Sequence, residues 1–386
     1  MFERPPISDR PGQGRSIVLA SVNFGEPDYA EGLEELKLLA SGAGLEIRGV
    51  IEAKRDRPDA ALFVGSGKAD EIAACALEAE APLVIFNHNL SPVQERNLEK
   101  RMQCRVLDRT ALILEIFAQR ARSNEGKLQV ELAQLRHYAT RLVRGWSHLE
   151  RQKGGIGMRG GPGETQLELD RRMINAKIKN IEARLEKLGK SRALQRRARQ
   201  RGGALTVSLV GYTNAGKSTL FNTLTHAGVY AADQLFATLD TTTRKVWLPE
   251  AGQVVLSDTV GFITQLPHGL VAAFHATLEE TAKADLLLHV VDGASANRDR
   301  QMEEVDKVLK EIGASEVPQI VVMNKIDQMG VGPAVALDEC GNISRISLSA
   351  RTGAGVDLLK QALARFAQDR RRDDLQQSEV DQHGME

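Results

Sequence analysis

The stretch LTVSLVGYTNAGKS, residues 205–218, decides the fold of this chain. Its first six residues are largely apolar and predict a buried strand. The next eight fit the pattern G-x-x-x-x-G-K-[ST], in which a strand leads through a loop into a helix. In such a loop the backbone amides surround phosphate groups at the N-terminus of the helix. The stretch therefore predicts a nucleotide-binding domain built on a parallel sheet.

Apolar segments recur on the C-terminal side of this loop at intervals typical of alternating strands and helices. We predict a doubly wound P-loop GTPase domain over residues 204–368, an α/β fold with a helix opening at Gly216 and a last helix over residues 356–367. The remaining residues, 369–386, are polar and predict a disordered tail. The predicted strands cover residues 205–210, 244–248, 254–257, 286–291, 320–323 and 344–348.

The phosphate loop supplies the first candidate site residues. We expect Lys217 to reach the β- and γ-phosphates and stabilise the transition state, and the Ser218 hydroxyl to bind Mg²⁺. The other residues expected to line the nucleotide are Gly211, Tyr212, Thr213, Asn214, Ala215, Gly216 and Thr219.

A second motif, DTVG at residues 258–261, ends an apolar strand. It would place the Asp258 carboxylate behind Mg²⁺, in contact through water, and the Gly261 amide near the γ-phosphate. The following residue is Phe262, where many GTPases have a glutamine that orients the attacking water. An apolar side chain cannot orient water, so we predict slow hydrolysis unless a partner or an ion completes the site.

Two later motifs predict guanine as the base. NKID at residues 324–327 follows an apolar strand, and the Asp327 carboxylate can accept hydrogen bonds from two donors that adenine lacks. Asn324 and Lys325 are predicted to lie beside the base. SLSART at residues 347–352 ends the next strand, and its Ser349, Ala350 and Arg351 would offer a backbone amide to the guanine oxygen.

The segment FATLDTTTR, residues 236–244, lies between the phosphate loop and DTVG. One of its three adjacent threonines, residues 241–243, is expected to close over Mg²⁺ and the γ-phosphate and to release after hydrolysis, as in the switch segments of GTPases. The spacing alone does not decide which threonine does so.

The N-terminal residues, 1–115, predict a separate small domain in which strands and helices alternate around a parallel sheet. Within it, VGSGKADEI at residues 64–72 lies between a strand and a helix but lacks the phosphate-loop spacing. We interpret it as a tight turn with a lysine available to RNA, with ATP binding as the alternative.

Residues 120–201 are strongly basic, with 21 lysines and arginines against 8 aspartates and glutamates, although the whole chain has a net charge of zero.

Two apolar heptad seams predict an antiparallel helical hairpin over residues 116–203. Its tip, GGIGMRGGPGETQ at residues 154–166, contains six glycines. From composition alone the tip is equally well explained as an RNA-approaching loop or as a hinge without a ligand. The seam residues are Leu128, Leu132, Leu135, Ala139, Leu142, Trp146 and Leu149, then Leu167, Ile174, Ile178, Ile181, Leu185 and Leu188.

Composition and length favour a multidomain protein, with 386 residues of which 42% are hydrophobic and 26% charged. No apolar run approaches the roughly 20 residues of a membrane span, and the N-terminus lacks a signal-peptide core. We therefore expect a cytoplasmic protein without a membrane span, and a monomer.

The motifs taken together resemble the HflX family over residues 16–367. They are GGIGMRGGPGETQLELDRR, GYTNAGKSTLFN, FATLDTTTR, DTVGFI, LPHGLVAAFHATLEE and NKID. The resemblance implies a bacterial GTPase that uses GTP and Mg²⁺, associates with the large ribosomal subunit and its rRNA, and splits or rescues stalled ribosomes under stress. It also implies that the hairpin and the N-terminal domain bind the ribosome and that the glycine tip approaches rRNA.

Two site residues follow from the resemblance. The switch threonine of the family comes after Leu-Asp-Pro, so Thr242 is the match, as a Mg²⁺ ligand and phosphate stabiliser, and Thr241 replaces the proline. Asn214 matches an asparagine that holds K⁺ in related GTPases, while the alternative is that it satisfies the backbone of its own loop.

Two other functions are compatible with these motifs. One is a GTPase of ribosome assembly or tRNA modification, and the other is an RNA-binding module gated by nucleotide. Replacing Lys217 or Asp258 tests the second possibility. An RNA-binding module in which hydrolysis is incidental would keep its RNA binding and cellular function, whereas a ribosome-splitting factor would lose turnover.

Overall fold

The computed structural model describes residues 16–145, 162–201, 204–226, 234–249, 252–264, 278 and 280–383. These residues form two compact units, one reaching to Lys187 and the other beginning at Leu188. Within the described residues, no helix is long and apolar enough to cross a lipid bilayer.

The first unit begins with a four-stranded parallel sheet in the order β2-β1-β3-β4. Strand β1 lies inside the sheet, and six of its eight residues are buried, as its apolar sequence predicts. The elements are β1 (Ser16–Asn23), α1 (Tyr29–Gly42), β2 (Glu46–Lys54), α2 (Ser66–Glu78), β3 (Leu83–Phe86), α3 (Pro92–Met102), β4 (Arg105–Leu107), α4 (Arg109–Arg120), α5 (Asn124–Gly145) and α6 (Pro162–Arg201).

Local sequence signals explain where these helices begin. Helix α3 starts with a capping box, in which the Ser91 side chain accepts from the Gln94 amide and the Gln94 side chain accepts from the Ser91 amide. Helix α4 is capped by Asp108, whose carboxylate accepts from the Ala111 amide. The predicted boundary at residue 115 falls inside α4, which continues to Arg120 with Ile116 and Phe117 buried.

Helices α5 and α6 follow the two predicted heptad seams. Leu128 and Leu132 are buried on α5, and Ile174 and Ile181 are buried on α6. Arg136 on α5 donates to Glu182 on α6 at 2.8 Å. Residues 154–161 of the predicted tip, and the seam residues Trp146 and Leu149, lie outside the described residues.

The second part of the predicted tip is helical, because α6 begins at Pro162. Proline suits the first position of a helix, since its missing N–H would have no intrahelical partner there. Residues 162–166 therefore belong to α6 and not to a glycine loop.

The second unit is a seven-stranded sheet in the order β10-β11-β9-β8-β5-β7-β6. The five inner strands pair in parallel, while β6 and β10 are antiparallel edge strands. The predicted fold class is thereby confirmed. The elements are β5 (Leu205–Val210), α7 (Lys217–Thr225), β6 (Thr242–Leu248), β7 (Gly252–Asp258), β8 (Leu286–Asp292), α8 (Arg298–Glu311), β9 (Gln319–Asn324), α9 (Ile326–Met329), β10 (Ala334–Leu337), β11 (Ile343–Ser347) and α10 (Val356–His383).

Helix α10 differs from the prediction of a helix ending at residue 367 and a disordered tail from residue 369, since it runs to His383. Its sequence contains neither glycine nor proline, so nothing in it ends a helix. Arg370 forms an ion pair with Asp285, whose carboxylate also accepts from the amide and hydroxyl of Thr206 in β5. The C-terminal helix is therefore attached to the central strand of the sheet.

A buried ion pair provides a test of the first unit. Arg109 on α4 forms an ion pair with Glu35 on α1, with both side chains less than 10% exposed. Removing one partner leaves a buried charge uncompensated, so we expect Glu35→Ala to lower the local stability of the first sheet by about 3 kcal/mol. Hydrogen–deuterium exchange of the β1 and β3 amides measures this change.

Glu46→Ala is the matched control, because Glu46 pairs with Arg48 where both side chains are more than half exposed. Exposed ion pairs contribute less than about 1 kcal/mol to the free energy of unfolding. Equal hydrogen–deuterium exchange rates of the β1 and β3 amides in the two variants would show that the buried pair does not stabilise the sheet.

Candidate functional site

The loop between β5 and α7 has a backbone that only glycine permits at its two ends. Gly211 has φ +147°, and a Cβ there would lie 2.1 Å from the carbonyl oxygen of Val290 in β8. Gly216 has φ +94°, and a Cβ there would lie 2.2 Å from Nδ2 of Asn324. The loop therefore packs directly against two neighbouring strand ends, which fixes the direction of its amides.

Lys217 lies at the centre of this loop and is 6% exposed. Its Nζ donates to the carbonyl oxygens of Gly211 at 3.0 Å and Tyr212 at 2.7 Å. Burial lowers the pKa of Lys217 to about 8, and the nearby Asp258 carboxylate opposes that shift. A phosphate group would supply the negative charge that this desolvated cation favours.

Three oxygen-bearing side chains meet beside the loop. The Ser218 hydroxyl donates to Oδ2 of Asp258 at 2.7 Å, and the Thr238 hydroxyl contacts Ser218 Oγ at 2.8 Å and Asp258 Oδ2 at 3.1 Å. Asp258 is fully buried, and burial raises the pKa of its carboxyl group. Its Oδ1 has no hydrogen-bond partner among the described residues. Hard oxygen ligands around an orphaned carboxylate oxygen fit a magnesium ion with its bound waters.

The threonine in this cluster is not the predicted one. Thr242 is the first residue of β6, where it pairs across the strands with Asp258, while Thr238 makes the side-chain contacts. Thr238 belongs to the same segment, FATLDTTTR, whereas Thr242 is assigned from the position after Leu-Asp-Pro in the family resemblance. The Ser218–Asp258 cluster therefore contains Thr238, and the assignment of Thr242 as the switch residue stays a prediction.

The DTVG segment is held against the phosphate loop by a short parallel bridge. The Thr213 amide donates to the Phe262 carbonyl at 2.7 Å, and the Phe262 amide donates to the Gly211 carbonyl at 3.2 Å. A Cβ on Gly261 would lie 2.8 Å from Thr213 Cγ2 and 3.0 Å from Lys217 Nζ. Gly261 must therefore be glycine for its backbone to lie this close to the lysine.

Two aromatic residues secure this bridge. The Phe262 ring is 1% exposed, so it packs in the interior. The Tyr212 hydroxyl accepts from the Thr264 amide at 2.8 Å and contacts the Thr264 hydroxyl at 2.5 Å. Phe262, at the position where other GTPases have a water-orienting glutamine, is thus a packing residue. Tyr212 of the phosphate loop holds Thr264, two residues after Phe262, in place.

Several of the residues described so far line one pocket, together with part of the segment before β6. The lining residues are Thr213, Asn214, Gly216, Lys217, Ser218, Thr219, Gln234, Phe236, Ala237, Thr238, Thr259 and Gly261. Asn214 is exposed and has φ +61°. No hydrogen bond from its side chain to its own loop is found among the described residues.

Asn324, at the end of β9, connects two loops of the site. Its Nδ2 donates to the Ala215 carbonyl at 2.9 Å, and its Oδ1 accepts from the Ala350 amide at 2.9 Å. It is 2% exposed. Asn324, predicted to read guanine, therefore uses its side chain to hold the backbones of two loops together. Asp327 is exposed on α9, where a base can reach its carboxylate.

The neighbouring residues complete this side of the site. Lys325 has φ +65° and forms an ion pair with Asp292 at 2.7 Å. The amide of Ser349 donates to the Ala354 carbonyl and that of Ala350 to Asn324. Within the described chain, the Arg351 amide has no such acceptor, so its role as donor to a guanine oxygen stays a prediction.

Comparison with known proteins agrees with this geometry. Three family models match in succession, described as GTP-binding GTPase N-terminal (residues 30–118), GTP-binding GTPase middle region (residues 120–199) and 50S ribosome-binding GTPase (residues 206–325). The GTPase HflX of Escherichia coli K12 is 56% identical over 92% of this chain and 83% of its own length. The chain belongs to the HflX family. The GTPase HflX of Magnetococcus marinus is 51% identical over 86% of this chain and 77% of its own length.

A solved complex of SsGBP with GDP covers 92% of this chain and 99% of its own, with 23% identity and a TM-score of 0.50. That likeness concerns the fold alone. Membership of the HflX family, together with the P-loop domain, shows that the chain binds guanine nucleotide and hydrolyses GTP.

The two candidate switch threonines can be separated by substitution. Because Thr238 contacts both Ser218 and Asp258, we expect Thr238→Ala to lower the rate of GTP hydrolysis by about tenfold or more. We expect Thr242→Ala, the matched control in β6, to change this rate less than about twofold. Single-turnover hydrolysis at saturating Mg²⁺ measures both variants. A loss confined to Thr242→Ala would restore the assignment made from the sequence.

Proposed function

We propose that this HflX-family GTPase binds the large ribosomal subunit in the cytoplasm and splits or rescues stalled ribosomes, with hydrolysis stimulated by the ribosome. The observation that carries the proposal is the distribution of charge on α6. Exposed cations cover this helix, while its apolar seam, with Ile174 and Ile181, is buried. The exposed cations include Arg171, Arg172, Lys177, Lys179, Arg184 and Lys187.

A surface of this kind favours RNA. Cations spaced along a helix neutralise phosphates and release condensed counterions, which gives affinity with little base preference. The description 50S ribosome-binding GTPase, given to the family that matches residues 206–325, supports the large subunit as the source of that RNA. The glycine tip would then let backbone approach rRNA.

Within the nucleotide site, we assign the phosphates to the loop of residues 211–218. Lys217 would exchange its two carbonyl acceptors for β- and γ-phosphate oxygens, and the Gly261 amide would donate to the γ-phosphate. Ser218 and Thr238 would hold Mg²⁺, with Asp258 behind it through water. The ion would supply charge neutralisation between the β- and γ-phosphates.

The base would be recognised from the opposite side of the site. Asp327 would accept the two guanine donors, and the Arg351 amide would donate to the guanine oxygen. Asn324 would hold both loops at the right separation, since it bonds to Ala215 and Ala350.

Control of the reaction follows from Phe262. Because its ring is buried, no side chain at that position orients the attacking water. Ribosome binding would complete the site, GTP would maintain the binding-competent state, and hydrolysis would release the chain.

The subunit dependence of hydrolysis tests this proposal. We expect large subunits to raise the GTP hydrolysis rate at least about tenfold and small subunits to leave it unchanged, in potassium buffer at fixed salt. Shortening residues 154–163 should abolish the stimulation without changing the rate of the chain alone. Absence of stimulation by either subunit would refute the ribosome proposal.

The role of Asn214 as a potassium ligand is tested separately. If K⁺ supplies positive charge in the transition state, hydrolysis should be about tenfold faster in K⁺ than in Na⁺ at equal ionic strength. Asn214→Ala should remove this difference while nucleotide affinity is retained. Equal rates in the two salts for the unmodified chain would eliminate the ion from the mechanism.

A further inference from the structure

Trp247 on the edge strand β6 is 76% exposed, which is unusual for a residue that normally buries most of its surface. The same strand has apolar residues that do reach the interior, since Leu248 belongs to the core and Val246 packs against it. Successive side chains of a strand point to opposite faces. Trp247 therefore lies on the face away from that core.

The neighbours of Trp247 give this face a positive charge. Lys245 lies two residues away on the same face and is exposed, whereas Arg244, although also exposed, lies on the opposite face of the strand. The residues opposite Lys245 and Trp247 on β7 are Val255 and Gln253, neither of which is acidic. Within the described residues, neither Lys245 nor Arg244 forms a salt bridge.

The position of β6 leaves this group accessible. It is the last strand of the seven-stranded sheet, and no strand among the described residues pairs with its outer edge. Gln253, directly across from Trp247, is exposed and carries an amide that can pair with the edge of a base.

We propose that Trp247, with Lys245 and Gln253, forms an RNA contact surface in which an unpaired base stacks on the indole ring. Aromatic rings combined with cations are the usual platform for single-stranded RNA, because every base has a flat face and every nucleotide a phosphate. A peptide strand added to the edge would use backbone groups and would need neither the indole nor the lysine.

This surface is also linked to the nucleotide site. Strand β6 begins at Thr242, four residues after Thr238, whose hydroxyl contacts Ser218 and Asp258. Movement of the segment around Thr238 would therefore shift the start of the strand that carries Trp247. The inference rests on the proposed function in so far as the RNA is ribosomal.

The chain has only two tryptophans, Trp146 and Trp247, so Trp247 can be observed alone in a Trp146→Phe background. The full chain is loaded with a non-hydrolysable GTP analogue and titrated with an oligoadenylate of about ten nucleotides, and separately with protein-free rRNA from large subunits. We expect both RNAs to quench the Trp247 fluorescence. We expect Trp247→Ala to weaken oligoadenylate binding about fivefold or more, measured by anisotropy of the labelled RNA.

Two variants serve as controls. Trp247→Phe should retain most of the affinity, because a phenyl ring still stacks on a base. Leu77→Ala removes another exposed apolar side chain, 82% exposed on α2, and should change neither RNA affinity nor hydrolysis. The hydrolysis rate of the chain alone should be unchanged in all of these variants.

The outcomes distinguish this inference from the ribosome proposal. Quenching by free RNA without stimulation by large subunits would support the RNA surface while refuting the ribosomal function. Quenching by intact large subunits but by neither free RNA would assign the surface to a protein and overturn the inference. Unchanged fluorescence with all three probes would overturn it as well.

Discussion

The nucleotide site depends on the hydrogen bonds of one side-chain amide, that of Asn324. It bonds to the phosphate loop at Ala215 and to the loop after β11 at Ala350, so one side chain joins the ends of three strands. The contact is possible only because Gly216 has no side chain, since a Cβ would lie 2.2 Å from the same amide. The phosphate-binding and base-binding halves of the site are therefore positioned by a single buried group.

Much of the architecture could be predicted from the sequence because the inner strands β1, β3, β5 and β8 are buried on both faces and the helices carry clear seams. Lys217, Ser218 and Asp258 lie together because parallel strands end at the same edge of the sheet. The contact of Thr238 with Ser218 and Asp258 could not be foreseen, since it depends on how the segment before β6 folds against Ser218. The supporting role of Asn324 also depends on partners far away in sequence. Strand β10 escaped prediction because its four residues are too short for a periodic signal and are all exposed.

The distribution of charge separates the two tasks of the chain. Residues 120–201 carry an excess of 13 positive charges while the whole chain is neutral, so the remainder carries an equal negative excess. Within the first unit, the acidic residues that meet α5 are used to hold it. Arg141 on that helix pairs with Glu95 and Asp108, whereas Arg171, Lys177 and Lys179 lie exposed on α6.

The burial of Phe262 has an evolutionary consequence. Because this position fills the interior, selection acts there on volume and apolarity, so large apolar residues are the acceptable replacements. Glutamine would place an amide where water cannot reach it, at a cost of about 1–3 kcal/mol unless new hydrogen bonds formed. A glutamine at this position alone would therefore be costly, and the proposed dependence on an external trigger would be preserved by packing rather than by chemistry.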